Sequence, residues 1–418
     1  MVKITSVKGR QVFDSRGNPT VEAEIILENN IKALAISPSG ASTGAFEAYE
    51  LRDENKNFFL GKSVLKAVEN INLKISKNLK GLNIGDQTTI DQTLIDLDGS
   101  QIKKNLGANA MLAVSLAASK ANAICNNKSL FRSFGSKFTL PLPLMNIING
   151  GAHADNDLRI QEFMIRPDSA KNFTDALEKC FLVIQNLKKI LKSKKLLTNV
   201  GDEGGFAPSI KTNEEALDLL ILAIENSKLL PGKDISICLD VAANELIDKN
   251  GNYSIQSTTH TNVTSVIEYY KKLTSSYPIK SIEDPFAEED WNAWKILTSE
   301  IGKNVQIVGD DLFVTNEKRL KKGISENSAN CILIKPNQIG TLTETLNVIE
   351  VSKNNIFGTI ISHRSGDSED TFIADLAVGS NSAQIKTGAL ARSERVAKYN
   401  RLLRIEEELG NSAKIAKI

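Results

Sequence analysis

The feature that most restricts this fold is a series of short apolar runs in the second half of the chain, each closed by an ionisable side chain. DISICLD ends at Asp240, IKSIED at Glu283 and VQIVGDD at Asp310. NCILIKP ends at Lys335, GTIISHR at His363 and Arg364, and AQIKTG at Lys386. The first interval is 43 residues and the others are 23 to 28, room for one strand, one helix and two loops. Continuous apolar runs of this length suit strands of a parallel sheet buried on both faces. The long first interval holds an insertion with its own Asn250-Gly251 hairpin signal. Residues 142–149 and 158–166, around Gly150-Gly151, read as two earlier strands. Two helices follow them, the second opening at Thr212 with Glu215 in capping-box spacing. Eight strands is the number that closes a barrel.

The strand C-termini of such a barrel share one mouth, and chemistry sits there. A single polar strand end needs no function, because strand ends leave the core. Six in succession, three acids and then three groups of bases, point to a site. Asp240, Glu283 and Asp310 would repel one another unless something positive lay between them. An oxygen-only donor set favours a hard cation, Mg²⁺ before Zn²⁺. Lys335, His363, Arg364 and Lys386 face that trio and suit a polyanionic substrate, with Arg364 able to grip phosphate or carboxylate bidentately. Positive charge beside Lys335 is expected to lower its pKa and make it a base. Glu162 lies in RIQEFMI between apolar neighbours, and Glu203 in the glycine-rich NVGDEGG. Placed together they are expected to share a proton, so that one stays protonated near neutral pH and can serve as a general acid.

The first part of the chain is different. Val21, Ala23, Ile25 and Leu27 alternate with other residues in period two, Asn29-Asn30 suits a turn, and residues 31–36 form a second strand. A small-residue loop, SPSGASTG, spans 37–44, and helical patterns rich in Ala and Leu dominate 63–133. Strands followed by helices suggest a small α+β domain. The stretch LPLPLM at 140–145 marks the boundary, dividing the chain into 1–136 and 137–418.

Composition removes several classes. The 51 Lys and Arg against 50 Asp and Glu give a net charge of +1, so no broad field for nucleic acid or anionic membrane is indicated. The longest apolar stretches, 111–125 and 217–224, are interrupted by polar residues and fall short of a span. The N-terminus lacks the apolar centre of a signal peptide. Cys125, Cys180, Cys238 and Cys331 are scattered without a CxxC and read as buried free thiols. These features predict a cytoplasmic protein, with no visible signal for a second location at the cell surface. The Gly61-Lys62-Ser63 end of a P-loop lacks its leading glycine, where Lys56 stands, and GxSxG is absent. His260 reads as a surface-loop residue, and Trp291 and Trp294 as core.

DSRGNPTVE, PSGASTG, QEFMI, GDEGG, SIEDPFAEEDW, KPNQIGTL, SHRSG, DTFIADLAVG, IKTG and RSERVAKYN follow one another in an order that resembles the enolase (phosphopyruvate hydratase) family over nearly the whole length. The resemblance implies a small α+β domain and a barrel whose second strand is antiparallel. It implies reversible dehydration of 2-phosphoglycerate to phosphoenolpyruvate. By position in their motifs, Lys335 would remove the C2 proton, and Glu203, with Glu162 beside it, would protonate the departing hydroxyl. Asp240, Glu283 and Asp310 match ligands of one Mg²⁺, and Ser42 matches the residue that binds a second ion arriving with substrate. Arg364 and Ser365 match phosphate contacts, Lys386 the carboxylate contact, and His153, Gln161 and His363 other site positions. Loops at 40–44 and 150–155 would close over substrate. The family also implies a homo-oligomer, dimer or higher, with Arg10 and Glu22 facing the 404–407 region of a second copy. Arg159, Asn244 and Asp367 depart from the usual pattern. Rival readings are another Mg²⁺-dependent racemase or dehydratase of the superfamily, and a non-catalytic surface or RNA-processing binding protein. The phosphate set and the Glu203 loop oppose the first, and the intact site positions the second.

Overall fold

The structure is a computed structural model and describes residues 1–40 and 44–418. Strands Ile4–Phe13 (β1), Pro19–Leu27 (β2) and Lys32–Ile36 (β3) form an antiparallel meander. Period two in β2 buries Val21, Ala23, Ile25 and Leu27 on one face. Asn30 turns the chain at φ 64°, a conformation Asn tolerates. The buried face packs on helix Ala108–Cys125. This helix has no polar stripe: small side chains let the sheet approach one side while helices Pro336–Ile339 and Leu342–Asn354 of the barrel approach another. Helix Gln87–Asp98 and a segment with a π-helical turn at Asn70–Ile75 complete the layer.

Strands Leu142–Asn149 (β4), Glu162–Arg166 (β5), Ser236–Asp240 (β6), Ile279–Glu283 (β7), Gln306–Gly309 (β8), Cys331–Ile334 (β9), Gly358–Ser362 (β10) and Gln384–Lys386 (β11) close into a barrel. The circular order is β10-β11-β4-β5-β6-β7-β8-β9. Both partners of β5 run antiparallel to it, and every other neighbouring pair is parallel. The expected strand at 158–166 starts only at Glu162. Residues 158–161 instead fold back on the glycine turn, with Gly150 N–H donating to Gln161 O at 2.9 Å and Gly151 N–H to Leu158 O at 2.9 Å. Leu144, Met164, Cys238, Val308, Cys331, Leu333 and Ile360 fill the barrel interior with apolar atoms. The mouth above them is therefore a floor with a site on it, not a pore.

The sheet layer and the barrel are tied by polar contacts. Lys120 Nζ lies 2.6 Å from Asp370, Lys103 Nζ 2.9 Å from Glu344, and Asp91 accepts from Thr343 N–H at 2.9 Å and its hydroxyl at 2.6 Å. All four thiols are free, and burial pushes Cys180, Cys238 and Cys331 well up, so they are inert. Trp294 is core, Trp291 is half-buried under Lys322, and His260 is exposed. Among the described residues no helix is long and apolar enough to cross a membrane.

Candidate active site

The strand ends deliver their side chains to one small polar cavity of about 30 Å³. Register sets three acids abreast: Glu162 on β5 is opposite Asp240 on β6, which is opposite Glu283 on β7. Asp310 follows β8 and Lys335 follows β9. His363, Arg364 and Ser365 follow β10, and Lys386 ends β11. Gln161, Glu203 and His153, the last from the turn Gly151–His153, join them around the cavity. Ser42 lies outside the described residues.

Lys386 reaches across the mouth. Its Nζ lies 2.8 Å from Asp240, 2.9 Å from Glu283 and 3.3 Å from Glu162. Burial pushes this amine down, but Asp240, Glu162 and Glu283 outweigh burial and hold it well above the ordinary lysine range. Asp310 does not join that cluster. It pairs with Lys335 Nζ and accepts from Gln338 Nε2 at 2.8 Å. The three carboxylates expected to surround one cation are thus held by two ammonium groups.

Lys335 also departs from expectation. Burial pushes its amine down, but Asp310 and Glu283 more than reverse this, so it sits above the ordinary value. A lowered pKa requires Asp310 to spend its charge on another cation.

Glu162 and Glu203 meet through His153, whose Nδ1 lies 3.7 Å from one and 4.0 Å from the other. Burial, then the Glu203 charge, holds Glu162 well above the carboxylate range. Burial also pushes Glu203 up, but His363, His153 and Arg395 outweigh it and hold it low. Asn146 Nδ2 donates to Glu203 at 3.2 Å. Glu162 is thus pushed up and Glu203, the anticipated acid, is pushed down.

The NVGDEGG loop holds Glu203 by threading against β4. Phe206 N–H donates to Ile147 O at 2.9 Å and Asn149 N–H to Phe206 O at 2.8 Å. Gly204 has φ +85°, and a Cβ there would lie 2.7 Å from Ala391 O. Gly204→Ala is expected to move the Glu203 carboxylate and lower turnover about 100-fold, because small misplacements of reacting groups are costly. A loss of about 100-fold in protein that still unfolds cooperatively would confirm the displacement, and normal turnover would reject it.

Several polar partners escaped the sequence reading. Asp284 and Asp311 follow Glu283 and Asp310 in acidic doublets, and only the first member of each was taken. Asp284 stands at φ 42° and its carboxylate accepts from Asp310 N–H at 2.8 Å and Asp311 N–H at 2.9 Å, fixing the Asp310 turn. Glu47, from the first part of the chain, takes the Arg364 guanidinium at 2.9 and 3.2 Å. Arg395 sat unnoticed in RSERVAKYN.

Comparison with known proteins then bears directly on this geometry. A family model described as "Enolase, C-terminal TIM barrel domain" matches residues 137–418, and another, "Enolase, N-terminal domain", matches 4–134. A protein named "Enolase" from Pelagibacter ubique (strain HTCC1062) is 63% identical over 420 residues, covering 100% of both chains. The chain belongs to the enolase family. The three residues expected to depart from the family pattern, Arg159, Asn244 and Asp367, have local partners. Arg159 donates to Ser254 O at 2.9 Å and Oγ at 2.7 Å, away from the reacting groups. Asn244 donates to Asp311 at 2.8 Å, and Asp367 lies 3.1 Å from Lys398 and 3.6 Å from Arg395.

Proposed function

We propose that this chain is a phosphopyruvate hydratase, a carbon–oxygen lyase that reversibly dehydrates 2-phosphoglycerate to phosphoenolpyruvate in glycolysis and gluconeogenesis. The observation that carries this reading is the barrel order. Strands β5 and β9 are four steps apart in a circle of eight, so they stand on opposite sides of one mouth. Lys335 follows β9, Glu162 opens β5, and Glu203 sits beside Glu162. A substrate between them meets a base on one side and an acid on the other, so proton and hydroxyl leave from opposite faces.

In this reading Asp240, Glu283 and Asp310 hold Mg²⁺. They are buried, they offer only oxygen, and two of them already share the Lys386 ammonium. Unpartnered buried atoms of Gln161 and Glu162 also face the cavity. Ser42 completes the proposal as a ligand of a second ion brought by substrate. Bound Mg²⁺ supplies positive charge where negative charge builds on the substrate carboxylate. Were Asp310 engaged by such an ion, Lys335 would lose the partner that keeps it charged, could release its proton to solvent and could then accept the C2 proton. Lys386 turns from Asp240 and Glu283 to the substrate carboxylate. Arg364 and Ser365 take the phosphate, with Glu47 orienting the guanidinium. The incoming anion raises the carboxyl pKa values around it, so Glu203 takes up the shared proton and delivers it to the departing hydroxyl. His153 and Gln161 line the closing side.

The proposal divides the chain into a domain of residues 1–136 and a catalytic barrel of 137–418. It places the enzyme in the cytoplasm as a dimer or higher homo-oligomer. Within one chain Arg10 pairs with Glu22 at 2.5 Å and Glu24 at 2.6 Å, a charged strip suited to a second copy. The test is direct. Purified protein with 2-phosphoglycerate and Mg²⁺ is expected to generate enol-phosphate ultraviolet absorbance, and a chelator to stop it reversibly. Absence of turnover with Mg²⁺ present would reject the reading.

A further inference from the structure

We infer that Arg395 is a positioning residue that locks His363 as a neutral imidazole with its only ring proton on Nε2, facing Glu203. The inference rests on the function proposed above for its catalytic consequence, but the tautomer follows from geometry alone. Arg395 lies on helix Ser393–Leu409 and is fully buried. Its Nη1 is 2.6 Å from His363 Nδ1 and 2.6 Å from Arg364 O. Its Nη2 is 2.6 Å from Ser365 O and 3.2 Å from Asp202 O. A guanidinium has five N–H donors and no acceptor. Nδ1 must therefore accept, and a neutral ring then carries its hydrogen on Nε2.

Nε2 points at Glu203 Oε1 across 3.5 Å, and is buried with no hydrogen-bond partner of its own. It is a donor aimed into the site and held in reserve. Protonating Nδ1 would set one N–H against another beside a fixed cation. The charged groups around the ring are Glu203 in front, Arg395 behind, and Asp367 beyond Arg395 at 3.6 Å. Burial pushes the ring down to about 4, against the pull of Glu203. His363 therefore stores no proton. It offers one hydrogen bond, in one direction, to Glu203 or to a substrate oxygen. The same guanidinium fastens two segments, 363–365 and the Asp202–Glu203 turn, so the donor and the acid keep a fixed separation. A lysine could not do this, since the contacts need a planar fork.

The chain has only three histidines, so ring ¹⁵N spectra of ¹⁵N-histidine-labelled protein are simple, and His363→Gln assigns the signal. The expected wild-type result is the neutral Nε2–H form, with no titration from about pH 5 to pH 9. A proton found on Nδ1, or a ring titrating near the ordinary value of about 6.5, would overturn the inference. In Arg395→Met, kcat for 2-phosphoglycerate is expected to fall about 100-fold with KM changing far less, while His363 gains the second tautomer and titrates. A folded Arg395→Met with wild-type kcat and an unchanged ring spectrum would also reject it. If Arg395→Met does not fold, the wild-type spectrum still decides. A wild-type protein without hydratase activity would sink the proposed function and leave the tautomer assignment standing.

Discussion

Lys335→Ala is expected to abolish exchange of the C2 hydrogen of 2-phosphoglycerate with solvent and to cut turnover by at least about 10²–10⁴-fold, the usual contribution of a general base. The reason is positional. Lys335 follows β9, on the side of the mouth away from Glu162 and Glu203, and in the proposed function its amine meets the substrate there. The substitution also removes the ammonium that now pairs with Asp310. That carboxylate becomes more available to a cation, so Mg²⁺ affinity measured by calorimetry should hold or rise. Loss of exchange with intact Mg²⁺ binding identifies the base. Exchange continuing at the wild-type rate would remove Lys335 from that role.

Glu203→Gln is expected to give a different defect of similar size. Dehydration should fall by about 10²–10⁴-fold, because no acid meets the leaving hydroxyl. Exchange at C2 should persist, since Lys335 stands across the mouth. The amide keeps the shape of the side chain and can still accept from Asn146 Nδ2, now at 3.2 Å. It also removes a negative charge beside Glu162. Burial and the Glu203 charge are the two largest causes holding Glu162 up, so the Glu162 carboxyl should titrate lower in the variant. A variant that loses exchange and dehydration together would show that Glu203 shapes the site and does not act as the acid alone.

The barrel was readable because each buried parallel strand is a compact apolar run, and the residue ending each run is the one lifted to the mouth. Asp240, Glu283, Asp310, Lys335, His363, Arg364 and Lys386 all came from that single rule. The rule weakens where two polar residues end a run. Asp284 and Asp311 were hidden behind their neighbours, although Asp284 shapes the turn that carries Asp310. Glu47 and Arg395 belong to a distant loop and an outer helix, and nothing local announces contact with Arg364 or His363. The surroundings of Glu203 were also illegible, because Arg395 and two histidines are brought beside it only by folding. The state of Lys335 depends in the same way on its pairing with Asp310. The reversed β5 was predicted by family resemblance, since apolar runs carry no arrow.

Helix Ala108–Cys125 has a consequence of its own. Fourteen of its eighteen residues are buried, and it touches both the meander and the helices outside β9. It is a party wall, and neither neighbour can be rebuilt without disturbing the other. A barrel severed from the first 136 residues would lose that wall, leave oily surface bare to water and strip Arg364 of its Glu47 companion. Such a fragment should clump rather than work, however complete its own list of reacting groups.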